Sequence, residues 1–303
     1  MWTVEGDSLP TLQGHTDQVW SVVASPNGNV VSGSLDGTVR LWSIQRGLIT
    51  TLRQPNQVWS VAASPDSKYI VSGSNDSTIR LWSIENNKGE LRFTIKGHKL
   101  GVRSIAFSPD SKYIVSGSDD STIRFWSIDG KPLNTLRGHQ GQIYSIDISP
   151  DGRYIASASE DSTIRLWSFE HHNENKSEPI ATLKGHRGEV YSVTFSPDGK
   201  YIVSGGQDGT VHLWSFEHND GKRIELIATL KGHKEEVYSV AFSPDGKHIV
   251  SGGRGNEVRL WTNSDWKAWL QIACNDLYYH PIFKVPRDEI VLDAKHTCSK
   301  YAW

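Results

Sequence analysis

The chain has 303 residues, of which 37% are hydrophobic and 22% are charged, so it is long enough to bury one large core. Its formal net charge of −2 and its pI near 6.6 argue against nucleic acid or an anionic membrane as the default partner. Its two cysteines cannot build a disulfide framework, and neither a secretory signal nor a long apolar run is visible, so we expect a cytoplasmic location.

One unit recurs along most of the chain, and each copy ends on a tryptophan. The six tryptophans are Trp42, Trp82, Trp126, Trp167, Trp214 and Trp261, at spacings of 40, 44, 41, 47 and 47 residues. Self-similarity at a period of this size is typical of arrays in which each repeat is one supersecondary unit. The sequence therefore predicts six copies of one small sheet.

The N-terminus reads as the end of such a unit. Each unit is predicted to contain four strands, and the next unit opens on a Gly-His pair, as described below. Residues 1–5 match the end of a third strand, and Leu9 to Gln13 matches the fourth strand, which precedes the Gly-His pair. The last unit has three strand patterns, up to Trp261, and no fourth. Because an open edge strand promotes aggregation, we expect the strand near Leu9 to Gln13 to pair beside Val258 to Trp261 and to join the two ends of the domain.

The clearest copy, Gly185 to Trp214, alternates with period two. This pattern predicts strands over Val190 to Phe195, Tyr201 to Ser204 and Thr210 to Trp214. Ser196-Pro197-Asp198-Gly199 supplies a tight turn, in which proline fixes one φ and glycine accepts a positive one. A polar loop and a fourth strand, such as Ile227 to Lys231, follow. Each unit is therefore predicted to be a four-stranded antiparallel meander.

Two short motifs accompany the repeat. Five copies open on a Gly-His pair, at Gly14-His15, Gly97-His98, Gly138-His139, Gly185-His186 and Gly232-His233. Five copies carry an aspartate six residues before the tryptophan, at Asp36, Asp76, Asp120, Asp161 and Asp208. With these motifs, residues 1–262 resemble the WD-repeat (WD40) β-propellers, although the dipeptide that names the family is here Trp-Ser or Trp-Thr.

The resemblance implies a fold that elementary packing also favours. A single sheet cannot bury both of its apolar faces, so the units must stack, and radial stacking leaves only short protected edges. The expected fold is all-β: a six-bladed propeller of four-stranded antiparallel blades, with the last blade closed by an N-terminal strand.

Histidine, aspartate and serine in one blade could suggest nucleophilic catalysis. In the WD-repeat family, however, the histidine bonds the turn aspartate and a second-strand serine, which reaches the tryptophan indole. Carried over, this implies structural networks at His15, Ser32, Asp36 and Trp42; at His98, Ser116, Asp120 and Trp126; at His139, Ser157, Asp161 and Trp167; and at His186, Ser204, Asp208 and Trp214. Catalytic sites are not normally duplicated around a ring, so we predict a structural role, no enzyme activity and no cofactor.

Two blades depart from these motifs. Arg53-Gln54 replace Gly-His in blade two, and Arg254 to Glu257 replace the aspartate-bearing turn in blade six, so we expect these blades to be the least braced. Blades four and five carry the longest loops, Glu170 to Glu178 and Glu217 to Glu225. His171-His172 could bind a metal ion, but adjacent histidines in a polar loop are usually just solvated, and we predict no metal there.

Residues 263–303 break the repeat. Helical spacing predicts one helix over Asp265 to Tyr279, ended by His280-Pro281, and a second is predicted over Asp288 to Ser299. This helical C-terminal extension is similar to the one that follows propeller arrays in some large cyanobacterial proteins. The alternatives for its thiols are packing between helices or a zinc site without a recognised ligand spacing, formed by Cys274, His280, His296 and Cys298.

One first-strand position carries an aromatic residue or arginine in every blade: Trp20, Trp59, Arg103, Tyr144, Tyr191 and Tyr238. The resemblance implies that this position lies at the mouth of the central channel, and these residue types are enriched in interface hot spots. The alternative is that they are wedges packed between blades. In the family, the residue before the turn aspartate shares that face; these residues vary from blade to blade and are Leu35, Asn75, Asp119, Glu160, Gln207 and, at the matching place, Arg254.

No phosphate-binding glycine loop, nucleophile elbow or paired-carboxylate motif stands out. We therefore expect a non-catalytic scaffold that binds a protein or peptide partner on the channel-mouth face, with no nucleic-acid or membrane partner. The alternative is that the chain is the sensor or regulatory propeller of a larger signalling protein, with its effector domain upstream. The start inside a repeat motivates that alternative.

Overall fold

The computed structural model describes residues 11–170, 177–216 and 224–262, whose strands form six antiparallel sheets that follow one another along the chain. The expected six-bladed β-propeller is thereby confirmed. Blade one contains β1 (Val19–Ala24), β2 (Asn29–Ser34), β3 (Thr38–Ser43) and β4 (Gly47–Arg53). Blade two contains β5 (Val58–Ala63), β6 (Tyr69–Ser74), β7 (Thr78–Glu85) and β8 (Lys88–Lys96). Blade three contains β9 (Val102–Phe107), β10 (Tyr113–Ser118), β11 (Thr122–Ser127) and β12 (Pro132–Arg137).

The other three blades repeat this order of strands. Blade four contains β13 (Ile143–Ile148), β14 (Tyr154–Ser159), β15 (Thr163–Ser168) and β16 (Ala181–Lys184). Blade five contains β17 (Val190–Phe195), β18 (Tyr201–Gly206), β19 (Thr210–Phe216) and β20 (Ile224–Lys231). Blade six contains β21 (Val237–Phe242), β22 (His248–Gly253) and β23 (Val258–Thr262). The four-stranded meander is confirmed for blades one to five.

The turns between first and second strands take the conformation that the sequence predicts. Gly199 has a φ of 68°, in the left-handed region that glycine accepts without steric cost. Ser67 and Ser111 occupy the matching turns of blades two and three and adopt φ values of 59° and 62°. The turn geometry therefore persists where glycine is absent.

Neighbouring blades meet through one repeated joint. The first strand of each blade packs on the first strand of the next, from β1 on β5 to β17 on β21. In the first joint, Val58 and Val61 lie against Gly33, where a side chain would clash with both valines. The Ser21 hydroxyl oxygen accepts the Val61 backbone N–H at 3.1 Å, and the Ser192 oxygen accepts that of Val240 in the last joint.

Blades six and one do not form this joint among the described residues. Val22 is 63% exposed, whereas its counterpart Val61 is 5% exposed. Gly252 matches Gly33, yet no atom of blade one lies within 4 Å of where its Cβ would be. Val258 on β23 is 76% exposed. Blades one and six thus each expose a surface that is buried in the joints between the other blades.

The predicted closing strand is not formed by residues 11–13, which are not in a strand, while Leu9 and Pro10 lie outside the described residues. The predicted helical extension at 263–303 lies outside them too, as do His171-His172 and the four candidate zinc ligands. Within the described ranges there is no helix long and apolar enough to cross a membrane.

Candidate interaction face

The six first-strand positions share a backbone feature that periodicity does not reveal. In β1 the pairing register with β2 shifts between Val19 and Ser21, so Trp20 is an unpaired β-bulge residue. The same shift isolates the matching residue of every other blade: Trp59, Arg103, Tyr144, Tyr191 and Tyr238. A bulge leaves one extra residue out of the ladder and redirects its side chain. All six residues, here named the aromatic arc, are therefore presented in the same way.

The first half of the aromatic arc is a stack. The rings of Trp20 and Trp59 lie 6.2 Å apart at an interplanar angle of 23°. The Arg103 guanidinium lies 4.0 Å from the Trp59 ring centroid and 5.8 Å from that of Tyr144. Asp119 holds this guanidinium through a 2.7 Å bond from Arg103 Nε. Cation–π contacts thus connect the tryptophans of blades one and two to the tyrosines that follow.

The second half continues the contacts into blade six. Tyr144 and Tyr191 have ring centroids 5.4 Å apart, and Tyr191 and Tyr238 have theirs 5.3 Å apart. Trp20 and Tyr238, at the two ends, are 48% and 49% exposed, and the four residues between them are half-buried. The arc residues thus contact one another across the blade joints and also keep accessible surface.

The residues before each turn aspartate lie beside the arc because of a second repeated bond. The Leu35 backbone N–H donates to Gln18 O at 3.0 Å, immediately before β1. The matching bonds, of 2.8 to 3.2 Å, are made by Asn75, Asp119, Glu160, Gln207 and Arg254, and these six residues are named the turn set. In four blades a turn-set side chain also bonds to that segment: Glu160 accepts the Gln142 N–H at 3.0 Å, for example. The structure thus brings both predicted sets to one edge.

Carboxylates give the tyrosine half of the arc a negative environment. Tyr144 donates to Glu189 Oε2 at 2.9 Å, and Tyr238 donates to Glu236 Oε2 at 2.6 Å. Burial, followed by the charges of Glu189 and Glu236, raises the pKa of Tyr191 to about 12. Gln207, Glu235, Glu236 and Arg254 line an adjoining surface cavity of about 450 Å³.

The predicted structural networks are present in blades one, three, four and five. In blade one, His15 Nδ1 lies 2.9 Å from Asp36 and His15 Nε2 lies 2.7 Å from Ser32 Oγ, which accepts the Trp42 indole N–H at 2.7 Å. A carboxylate only accepts, so the histidine proton is on Nδ1 and Nε2 accepts from the serine. Burial opposes ionisation of Asp36, but the bonds from Thr38, Thr16 and His15 outweigh it and lower its pKa.

Blades two and six contain modified networks, in which one partner of the histidine–aspartate pair is replaced. In blade two, the Ser72 hydroxyl donates to Gln54 Oε1 at 2.8 Å, and Arg80 pairs with Asp76 at 2.8 Å. In blade six, His233 Nδ1 lies 3.0 Å from Glu257 Oε1. Glutamine replaces the histidine in one case and glutamate replaces the aspartate in the other, because side chains of similar reach provide the same hydrogen-bonding atoms.

The comparisons with known proteins agree with this architecture. The model of the WD domain, G-beta repeat family matches residues 6–43, 46–83, 89–127, 130–168, 177–215 and 224–262. This chain therefore belongs to the WD-repeat family. Propellers of this family are generally non-catalytic and bind other proteins.

Two curated relatives each match a short part of the chain. Eukaryotic translation initiation factor 3 subunit I of Aspergillus niger is 43% identical over 47 residues, which are 15% of this chain and 14% of that protein. THO complex subunit 6 of Drosophila melanogaster is 49% identical over 43 residues, or 14% of this chain and 12% of that protein. The chain thus spans about a seventh of the length of the first relative and less of the second.

Proposed function

We propose that the chain is a non-catalytic scaffold that binds a protein or peptide partner on the face formed by the aromatic arc and the turn set. The observation that carries this proposal is the β-bulge that presents a Trp, Arg or Tyr side chain from every blade to one edge. Partly exposed residues of these types concentrate binding energy at protein interfaces. The cytoplasm is the compartment that we propose for this role.

The charges favour a partner segment that carries a basic side chain. Glu189 and Glu236 lie beside Tyr144, Tyr191 and Tyr238. Arg254, at 3.4 Å, offsets part of the charge of Glu236, while Arg103 is already paired with Asp119. An ammonium or guanidinium group over the tyrosine rings would be attracted by both the rings and the carboxylates. The varied turn-set residues would then discriminate among partners that share this feature.

The names of the two relatives fit this class of function. Each is described as a subunit, one of a translation initiation factor and the other of the THO complex. A scaffold role on an assembly is therefore in keeping with proteins that contain similar repeats.

A displayed peptide library, selected on the full chain, tests the proposal. Peptides that survive counter-selection with the Trp59→Ala/Tyr144→Ala/Tyr191→Ala variant are synthesised, and their Kd values are measured by fluorescence anisotropy. Truncation of a hot-spot aromatic should weaken binding by about 2 kcal/mol or more, roughly 30-fold, at one or two of these positions. Phe93→Ala is the matched control, because Phe93 is 40% exposed on the outer strand β8.

Stability measured on the same variants distinguishes binding residues from interblade wedges. An aromatic needed mainly for packing would cost about 3 to 5 kcal/mol of unfolding free energy when truncated. Variants that unfold readily while their folded fraction still binds the selected peptides normally would contradict the proposal. Selected peptides that bind the wild type and the single variants equally would contradict it as well.

A further inference from the structure

Blade five differs from the other blades at one buried position. His212 in β19 pairs in register with Ser204 of β18. The same place, opposite the second-strand serine, is occupied by arginine in every other blade: Arg40, Arg80, Arg124, Arg165 and Arg259. The substitution replaces a permanent cation with a ring that can offer a nitrogen lone pair.

His212 lies against the structural network of its own blade. Its ring stacks on that of His186, with centroids 3.9 Å apart and planes at 13°. His186 Nδ1 is 3.1 Å from both Asp208 carboxylate oxygens, and one ligand atom each of His186, Asp208 and His212 all lie within 4.8 Å of one another. In blade two, by contrast, Arg80 occupies this place and binds Asp76 at 2.8 Å, so a cation there would be repelled.

A second observation is a buried nitrogen without a partner; Arg124, Arg165 and Arg259 share this feature at Nε, but only the histidine nitrogen can offer a lone pair to a cation. His212 is only 3% exposed, and its Nδ1 is buried without a hydrogen-bond partner. A buried polar atom without a partner is destabilising, so such an atom needs an explanation. Gly185 lies beside His212 Nδ1 but has no side chain that could bond to this nitrogen. A Cβ on Gly185 would lie 3.1 Å from His212 Nδ1.

We propose that His186, Asp208 and His212 form a binding site for a divalent transition-metal ion of the kind that imidazole prefers, such as Zn²⁺. Two imidazoles and one carboxylate are a common protein ligand set, with a fourth position left for water. Tetrahedral ligands at 2.0 to 2.2 Å lie about 3.4 Å apart, so the three groups must move together slightly. Because ring lone pairs lie in the ring plane, the two stacked rings must also tilt.

The surrounding residues suit this site. His186 Nε2 is 2.9 Å from Ser204 Oγ, so a metal-bound His186 would carry its proton on Nε2 and donate it to the serine. Such outer hydrogen bonds orient metal-binding imidazoles. A groove of about 460 Å³ between blades four and five is lined by Gly185 and His186, so it brings solvent to one of the three proposed ligands.

The experiment compares metal binding by the full chain and by variants at this position. Zn²⁺ is titrated calorimetrically into chelator-treated protein, and thermal unfolding is followed with and without Zn²⁺. His171→Ala and His172→Ala are present in every protein, to remove a competing loop pair. We expect one Zn²⁺ site and a zinc-dependent rise in Tm, and we expect both to be lost in His212→Arg, which restores the arginine of the other blades.

Two further variants complete the test. His212→Gln removes the ligand without adding charge and should also lose the site, so the result does not depend on His212→Arg alone. Arg165→His in blade four places an imidazole beside His139 and Asp161 and should create a second zinc site. Co²⁺ bound to the three proposed ligands should give no thiolate charge-transfer band. The presence of such a band would show that the cysteines bind the metal instead. Equal zinc stoichiometry in wild type, His212→Arg and His212→Gln would overturn the proposal.

Discussion

Gly205 of blade five and Val237 of blade six are in such close contact that a Cβ on Gly205 would lie 2.6 Å from Val237 Cγ1. Val240 Cγ1 would be only 2.9 Å away. Valine is stiff at χ1, so neither side chain can turn aside without strain. Glycine at this position is therefore required by the joint between blades rather than by its own backbone.

Gly205→Ala should lower the unfolding free energy by about 1 to 3 kcal/mol, the usual cost of overpacking a close-packed interface. Gly252→Ala is the matched control, because Gly252 holds the same place in blade six, and among the described residues the nearest atom to where its Cβ would be is Glu257 O, at 4.0 Å. It should change stability by less than about 0.5 kcal/mol, as is usual at surface positions. Urea denaturation measures both. An equal loss in the two variants would show that some element covers Gly252 in solution.

Asp208→Ala should destabilise the chain by roughly 1 to 3 kcal/mol, because it leaves a buried donor on His186 without an acceptor. The same substitution at Asp120, which lies 3.0 Å from His98 Nδ1, should cost a similar amount. The comparison variant is Asp76→Ala, which deprives Arg80, rather than a histidine, of its carboxylate. Equilibrium unfolding measures the unfolding free energy of each variant. Unchanged stability of Asp208→Ala combined with loss of peptide binding would favour a binding role for Asp208.

The pH dependence of the unfolding free energy should reveal the titration of His212. Burial, followed by the charge of His186, lowers its pKa from the ordinary 6.5 to about 4. His212 therefore binds a proton more tightly in the unfolded chain than in the folded chain. The contribution of neutral His212 to the unfolding free energy is complete above about pH 6.5 and is lost as the pH falls towards 4. His212→Arg stays charged throughout and removes this titration.

The measurement is the unfolding free energy of wild type and His212→Arg in the presence of EDTA, between pH 7.5 and pH 4. We expect the wild type to lose more stability than the variant across the window from pH 6.5 to 4. Parallel curves over that range would mean that His212 titrates alike in the folded and unfolded chains.

The repeat made most of the fold predictable from the sequence. Period-two alternation predicted the strand Val190–Phe195 with its observed bounds, and the family resemblance based on the Gly-His and aspartate motifs implied the networks of four blades. Each of these features depends on residues close together in one unit, so the pattern in one copy contains the information.

The features that were not predicted depend on contacts between strands, or on residues that differ from those at the same place in the other blades. The β-bulge at Trp59 was not predicted, because its position depends on how the strand pairs with β6 rather than on the strand's own sequence. The replacements by Gln54 and Glu257 required knowing that their side chains reach Ser72 and His233. The exception at His212 was visible as the only histidine among five arginines, but its meaning depends on stacking with His186.

The negative charge of the proposed binding face should govern how fast a basic partner associates. Glu189→Gln keeps an oxygen that can accept from the Tyr144 hydroxyl, which now donates to the Glu189 carboxylate, but it removes the negative charge beside Tyr191. A selected peptide with a basic side chain should bind this variant about 5- to 10-fold more weakly at low salt, chiefly through a slower association rate, because charge complementarity acts mainly on encounter. Its affinity should also depend less on salt, since one screened attraction is gone. Glu90→Gln is the matched control: Glu90 is exposed on β8 and its loss changes the net charge equally. Stopped-flow association rates at two salt concentrations provide the measurement. Equal slowing in both variants would assign the effect to overall charge, and it would remove the argument for a basic partner segment at the tyrosine half of the arc.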